Sequence, residues 1–526
     1  MAISAKKLTA AVCALSLLAG VCGCGRTVLT GDGSQAQPQT SDSAQSVSSA
    51  SDGKFSLFYD SGESMNPMKT QDVNNQLVCS LAYENMVEVD GSFKVSPKVL
   101  SEWSTDDGIN WVLKVAEGHT FSDGSAVSAA DVAYSLRLAI NGARFENRFD
   151  GWLSAISTQD GEVLVELTRA NYLFPTLLTV PVVKSGTEGE YPVGSGPYAW
   201  ADDHLSLTAS AAYPNAAKLP VNAVYLQTYS SVDDFVSKFE DSTVDLVLND
   251  PSASSNVGFA SSNEIRAFNT TNLQYVCVNL ESDEFKSGDL QFALNYAFDR
   301  NYMANSLLGG DAVAVTTPIS PSSALHNTSY DSRFAYSLEK CAAALDNFGI
   351  RDYDSDGLRE YKSGGAVKKI AIRFAVCSEN GAKVSMVQKF ADDMKTLGIT
   401  VTVTKYDWDD YKQALTAGSF DLAYCEVRLA PDFDPSPMLS SGGAAFFSRT
   451  DDPDIQGYIN AYLAAPDDTR QKACDDLCEY IVNTATIIPI CFEKHQIITH
   501  RGALSNMTVD QNNPMCDFAN WTITKK

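Results

Sequence analysis

Positive charge is scarce in this 526-residue sequence: 39 Lys and Arg stand against 65 Asp and Glu, a net charge of −26. Nucleic-acid binding needs clustered cations to displace counterions from phosphates, and no long basic run occurs, so that class of partner is excluded. The acid excess reads as surface solubility. Histidine is scarcer still. Its five copies, His119, His204, His326, His495 and His500, are scattered, and neither HExxH nor GxSxG occurs. His495 and His500 flank an apolar strand five apart, which points them to opposite faces. An exported hydrolase, the remote alternative, would need a nucleophile, base and orienting acid or a metal cluster. The chain is therefore read as no enzyme, with no catalytic residue, cofactor or metal ligand assigned. A membrane span is missing at the N-terminus too: the fourteen apolar residues Leu8–Val21 cover only ~21 Å as a helix, short of a ~30 Å hydrocarbon core.

That apolar stretch fits an export signal, with Lys6 and Lys7 as its charged start and small residues and Cys24 after it. Val21-Cys22-Gly23-Cys24 resembles a lipobox, in which the Cys after a small residue is diacylated and becomes the new N-terminus. Gly23 is a better small residue before the cut than Val21, so Cys24 rather than Cys22 is the expected lipidation site. Two acyl chains hold a protein on a membrane far better than one. The mature protein is expected to be exported and lipid-anchored to the outer face of the cytoplasmic membrane. Residues 24–53 carry almost nothing apolar beyond Arg26 and form a flexible tether, reaching on the order of 30 Å. Removing residues 1–23 leaves ten cysteines, and lipidation leaves nine. An odd number at scattered spacing does not suit a disulfide framework; these residues read as small buried hydrophobes. Cys474 and Cys478 are four apart without a nearby His or third Cys, a poor metal site.

The folded body begins near Phe55, and its clearest unit lies at residues 368–426. Ile370, Ile372 and Phe374 alternate as a strand, and Val384, Val387, Phe390 and Met394 share one helical face before Gly398. Val401 and Val403 alternate in a second strand, Tyr411–Ala417 is a further helix, and Phe420–Glu426 a third strand. Strand, helix and strand in that order imply a parallel pair with a right-handed crossover, hence a doubly wound α/β sheet. Earlier, Ser128-Ala129-Ala130-Asp131 is a capping-box variant that opens a helix through Leu138. Trp111–Val115 and Val163–Leu167 read as strands of a separate mixed region.

A set of motifs then carries a resemblance. Val99-Leu100-Ser101-Glu102-Trp103, Asp106-Asp107-Gly108, Trp111, Phe121-Ser122-Asp123-Gly124 and Ser128-Ala129-Ala130-Asp131-Val132 through Ser135-Leu136-Arg137 look like the signature of family 5 extracellular solute-binding proteins. Further matches follow in family order: Tyr83-Glu84-Asn85-Met86-Val87, Gly194-Ser195-Gly196-Pro197-Tyr198, Phe292 through Arg300, Asp354 through Glu360, and Ile487-Ile488-Pro489-Ile490. The resemblance implies a two-lobed periplasmic-binding-protein fold of the second type, with an extra subdomain inserted in lobe one. Lobe one would comprise residues 54–75, 191–275 and 491–526, the subdomain 76–190, and lobe two 276–490. Crossings near Asn272–Leu280 and Pro489–His495 would form the hinge. The implied function is that of the substrate-binding component of an ABC importer. Such a monomer captures a small solute by lobe closure and delivers it to permease subunits in the membrane.

Members that take peptides are similar in holding the ligand's α-amino group with an Asp in a D-Y-x-D-P-like segment. The matching stretch here is Arg428-Leu429-Ala430-Pro431-Asp432-Phe433-Asp434-Pro435, after a predicted strand end, where α/β sheets favour binding residues. A buried ammonium needs a carboxylate partner; Asp432 is the expected one, with Asp434 second. Glu426-Val427-Arg428 stands where the family usually has a Trp before this Asp. Arg428 suits either a bidentate contact to a ligand carboxylate or a bridge to Glu426 or another nearby acid. Short peptides are the expected solute; an oligosaccharide, a chelated metal or haem, or a sensing role, are the alternatives. Asp352-x-Asp354-x-Asp356-Gly357 imitates the start of an EF-hand, but Ser363 falls where a bidentate Glu is needed, so it reads as an acidic turn. Gly194-Ser195-Gly196 is a turn too, since Pro197 follows it.

Overall fold

The computed structural model describes residues 54–524 apart from ten single positions between Asp150 and Asp517; the export signal, Cys24 and the tether lie outside the described residues. The frame is a mixed sheet of eleven strands, with a separate antiparallel sheet of four. Eight strands of the large sheet position the site: β1 (Lys54–Phe58), β2 (Ala223–Gln227), β3 (Leu246–Asn249), β4 (Asn263–Val278), β5 (Ala371–Cys377), β6 (Thr400–Tyr406), β7 (Leu422–Arg428) and β8 (Ile487–His500). Their order across the sheet is β6-β5-β7-β4-β8-β3-β1-β2. Three helices matter below: α1 (Ala129–Ile140), α2 (Gly381–Thr396) and α3 (Trp408–Ala417).

The unit at 368–426 folds as its alternation predicts. Ile372 and Phe374 of β5 bury against Val387, Phe390 and Met394 of α2, and the Phe298 and Phe390 rings stack with centroids 4.3 Å apart. Each such ring buried is worth roughly 1.5–3 kcal/mol. The Asn380 side chain caps α2 by accepting from the Lys383 N–H. Gly398 ends the turn beyond it at φ 75°, and a Cβ there would lie 2.6 Å from the Gly357 carbonyl. Strands β6 and β7 both run parallel to β5. α1 begins where expected: the Ser128 N–H and hydroxyl both donate to the Asp131 carboxylate, at 2.9 and 2.6 Å. The four-stranded sheet pairs Leu100–Ser104, Asn110–Val115, Glu162–Leu167 and Leu153–Gln159 in that order. Gly194 and Gly196 let the chain press on Ala82; a Cβ at Gly194 would lie 2.1 Å from the Ala82 carbonyl oxygen.

Two strands tie the large sheet together. β4 and β8 pair along almost their full length, but the ladder shifts register twice, between Asn269 and Leu273 and again between Gln274 and Tyr275; the first break is the wider. Asn269 pairs with Lys494 and Leu273 with Phe492, so Thr270, Thr271 and Asn272 stand opposite the single residue Glu493. Three residues facing one is a bulge, the device by which a strand bends. On one side of the break lie β3, β1 and β2; on the other lie β7, β5 and β6. The break falls at the edge of the first expected crossing and inside the second.

The two sides also meet away from these strands. The Phe93 ring packs edge-on against Phe433 at 4.6 Å, and the Tyr172 N–H donates to the Leu463 carbonyl at 2.8 Å. One apolar core accordingly runs from the 77–183 region into the 429–482 region. No helix among the described residues is long and apolar enough to cross a membrane.

Candidate functional site

Ligands of α/β sheets bind off the carboxyl ends of parallel strands. On one side of the bulge the parallel strands β5, β6 and β7 end at Cys377, Tyr406 and Arg428; on the other, β1 and its parallel neighbours β2 and β3 end at Phe58, Gln227 and Asn249. The two edges face each other. Asn380, just after β5, donates through Nδ2 to the Ser252 carbonyl just after β3, at 2.8 Å.

The three residues singled out by sequence fall into two environments. Asp432 is 1% exposed. Its carboxylate accepts from Asn171 Nδ2 at 3.0 Å and from the Asp434 N–H at 3.2 Å. Burial, with the Asp434 charge adding to it, pushes its pKa up to about 7. Asp434 is buried too, accepts from the Ser436 N–H and hydroxyl, and pairs with Arg169 at 3.3 Å. Arg169 also donates to Asn460 and stacks on Trp152 at 4.1 Å. Asp432 and Asp434 thus fasten the 430–463 segment to the 169–171 segment.

Arg428 behaves differently. Glu426 does not bridge to it, because Lys383 takes the Glu426 carboxylate at 2.5 Å. Facing Asn272 across the ladder at the end of β7, Arg428 keeps solvent contact. Protein nonetheless surrounds it closely enough that desolvation pulls its guanidinium below the usual value.

Two further arginines, which sequence reasoning missed, lie near enough for the Arg428 charge to reach them. Arg144 donates to the Pro67 carbonyl at 3.1 Å; Arg148 donates to the Leu177 carbonyl at 3.2 Å and to Thr179 Oγ1 at 2.7 Å. Burial is the main force lowering both, to about 10 for Arg144 and about 9 for Arg148, and the Arg428 charge lowers each further. Arg148 also feels Arg144 as a repulsion and Asp432 as an attraction. All three stay charged at neutral pH. The signal in the sequence was two arginines four apart, with nothing to show that a third would face them from residue 428.

A second polar group sits at the bulge. Glu493 is fully buried; Gln274 Nε2 donates to its carboxylate, and Thr270 Oγ1 to its carbonyl at 2.8 Å. Burial and the Glu426 charge push its pKa up to about 8. Asp250, Glu493 and His495 bring one ligand atom each within 4.8 Å of one another. Lys383 supplies positive charge to this group: Glu426 and Glu493 raise its pKa although burial opposes them. The Asp352–Gly357 turn is held by its own backbone, since the Asp352 carboxylate accepts from the N–H groups of Ser355, Asp356 and Gly357, and Lys369 pairs with Asp356. A groove of about 310 Å³ near the start of β5 is lined by charges that satisfy one another, Lys368 with Asp283 and Arg373 with Asp421.

Residues 94–445 match the family described as bacterial extracellular solute-binding proteins, family 5. The chain is 28% identical over 290 residues to the glutathione-binding protein GsiB of Escherichia coli, an alignment covering 49% of this chain and 54% of that protein. It therefore spans about half the length of those glutathione-binding relatives. It is 20% identical over 458 residues to heme-binding protein A of Haemophilus influenzae, covering 78% of this chain and 81% of that one. Among solved structures, NikA from Brucella suis in complex with Fe(III)-EDTA superposes with a TM-score of 0.70 at 17% identity, over 90% of this chain and 100% of that chain. The oligopeptide-binding protein AppA from Bacillus subtilis, in complex with a nonapeptide, gives 0.62 at 18% identity, over 90% and 99%. At these identities the likeness shows the fold, a two-lobed type II periplasmic-binding-protein architecture.

Proposed function

The chain belongs to the family 5 bacterial extracellular solute-binding proteins, and from that premise we propose that it captures a small solute between its lobes and delivers it to the permease of an ABC importer. One observation carries this reading. The carboxyl edges of two parallel-strand blocks meet, joined by the Asn380–Ser252 hydrogen bond, with Arg428 exposed at the end of β7. The bulge opposite Glu493 supplies the bend about which such lobes open. Lobe one is placed at residues 54–75, 191–275 and 491–526, its subdomain at 76–190 and lobe two at 276–490. Export and attachment through Cys24 rest on the N-terminal sequence alone.

Within that function, short peptides are the solute class put first, supported by glutathione-binding and oligopeptide-binding relatives. Arg428 is placed against the solute. Asp432 and Asp434 are placed at the rim, closing the cleft over it through Asn171 and Arg169. Native mass spectrometry of the purified protein, followed by denaturing release, tests the reading directly. A small molecule carried at unit stoichiometry, whose removal expands the protein in solution scattering, is the expected result. A protein that carries nothing, and whose dimensions stay fixed across a panel of peptides and organic acids, would sink it.

A further inference from the structure

The polar group at the bulge is continuous with the hydrogen bond that joins the two sides of the large sheet. Gln274 Nε2 donates to one carboxyl oxygen of the fully buried Glu493, and the Tyr424 hydroxyl holds Gln274 by donating to its Oε1 at 2.8 Å. Asn272 Nδ2 stands 3.4 Å from the other Glu493 oxygen and 3.5 Å from His495 Nε2. That nitrogen in turn lies 3.5 Å from Asp250 Oδ2. The second oxygen of Asp250 accepts from the Ser252 N–H and hydroxyl at 2.8 and 2.7 Å. Ser252 then offers its carbonyl to Asn380, whose side chain also accepts from the Lys383 N–H. A run of contacts thus leads from the buried carboxyl, through Asp250 on one side of the bulge, to the start of α2 on the other.

Cations are short along this run. Lys383, whose charge reaches Glu493, is spent on Glu426, and His495 faces Asp250. Asp311 adjoins Ala312, which pairs with Glu493, and is taken by Gln496 at 3.0 Å. Among the described residues, no Lys, Arg or His pairs with Glu493. A buried carboxyl without a cation is held neutral, and its raised pKa agrees. Asp250, Glu493 and His495 each bring an atom within 4.8 Å of the others. Ionising Glu493 therefore sets a second negative charge against Asp250, with Glu426 a third nearby. Drawing the 250–252 segment away from Asn380 relieves the repulsion and lets water reach the new charge.

We infer that this run of contacts is a proton-operated latch: neutral Glu493 lets Asp250 and Ser252 close on Asn380, and loss of its proton drives the two sides apart. The inference rests on the reading of a two-lobed protein that opens about the bulge. Burial in the closed form raises the Glu493 pKa above its value in the open form. The closed form is thus fully favoured below the open-form value, and loses that advantage as pH rises to about 8. For one proton, the closed-to-open ratio falls by at most about 10-fold per pH unit.

Solution scattering of the solute-free protein from pH 5 to 9 tests the latch without any ligand. The wild-type radius of gyration should rise with pH and level off above about pH 8. Glu493→Gln, neutral throughout, should lose most of that rise, and Asp250→Asn, which removes the facing charge, should reduce it. Asp432 at the rim, raised to about 7, adds a slope of the same sign that all three proteins share, so the quantity read is the difference from wild type. A merely structural Glu493 would move the melting temperature and leave the radius of the folded protein flat. A constant wild-type radius, or a rise equal to wild type in Glu493→Gln, overturns the latch. Should Glu493→Gln fail to fold, Asp250→Asn decides alone, and an undiminished rise in it overturns the latch as well. A protein that opens with pH yet carries and binds no small molecule keeps the latch and loses the capture reading. One that carries a solute while its solute-free radius stays fixed keeps capture and loses the latch.

Discussion

Glu493 offers the sharpest test of the bulge. Its carboxyl is fully buried where β4 and β8 break register, and its pKa rises from 4.5 to about 8, by burial first and the Glu426 charge second. Between those two values the folded chain holds a proton that the unfolded chain has lost. The stability linked to that proton is complete below pH 4.5, declines as pH rises and is gone above pH 8. Set wholly against the unfolded chain, a shift of this size corresponds to about 4–5 kcal/mol. Glu493→Gln fixes the neutral form. It keeps an acceptor for Gln274 and replaces a hydroxyl by an amide that also donates. The variant should match wild type at pH 5 and surpass it progressively to pH 9, where the difference in melting temperature reaches on the order of 5–10 °C. Asp432, raised to about 7, gives both proteins a residual slope of the same sign. The quantity to read is therefore the difference between two melting curves taken every half pH unit. A difference that is constant from pH 5 to 9, or a variant less stable than wild type at pH 9, would refute the reasoning.

Two further outcomes follow from named contacts. Asn171→Ala strips the Asp432 carboxylate of its donor across the rim, which costs about 1–3 kcal/mol for a buried acceptor left unmade. Solution scattering of the ligand-free variant should show a larger radius of gyration than wild type, and an unchanged radius would remove the rim contact from the closure argument. Burial raises the thiols of Cys79, Cys341 and Cys425 to about 12 and pushes those of Cys277 and Cys491 up as well. Of the nine described cysteines, only Cys377 and Cys516 are incompletely buried. An aromatic disulfide reagent at pH 8 should label these two in the native protein and the buried seven only after denaturation; rapid native labelling of a buried thiol would contradict the packing.

How much of this was legible in the sequence depends on distance along the chain. The β5–α2–β6 unit was readable because Ile372, Phe374, Val387, Phe390 and Met394 declare their period locally, and their neighbours in the core are mostly near in sequence. The Ser128–Asp131 cap was readable for the same reason, since both partners lie in one turn. The bulge was not. It exists only in the pairing of Thr270–Asn272 with Glu493, more than 200 positions apart. Arg428 shows the limit most plainly. Sequence left it between a ligand contact and a bridge to Glu426, two residues away. What removed the Glu426 bridge was Lys383, brought from the first turn of α2 to occupy that carboxylate. Likewise, nothing local in the sequence marks Arg144 and Arg148, whose side chains reach the Pro67 and Leu177 carbonyls only in the fold. Local pattern encodes elements, whereas a recess is made by elements that never meet in the sequence.

The same geometry accounts for how a ligand would drive closure. Arg144 and Arg148 lie on the side of the chain that carries Asn171, and Arg428 on the side that carries Asp432. Closing the cleft brings contacts from the two sides together. The Asn171–Asp432, Arg169–Asp434 and Phe93–Phe433 contacts favour the closed form. A ligand shifts such an equilibrium only by the difference in its affinity for the two forms. A solute that touches both sides at once adds to the Asn171–Asp432 and Arg169–Asp434 contacts only in the closed form, and that difference is what would drive closure.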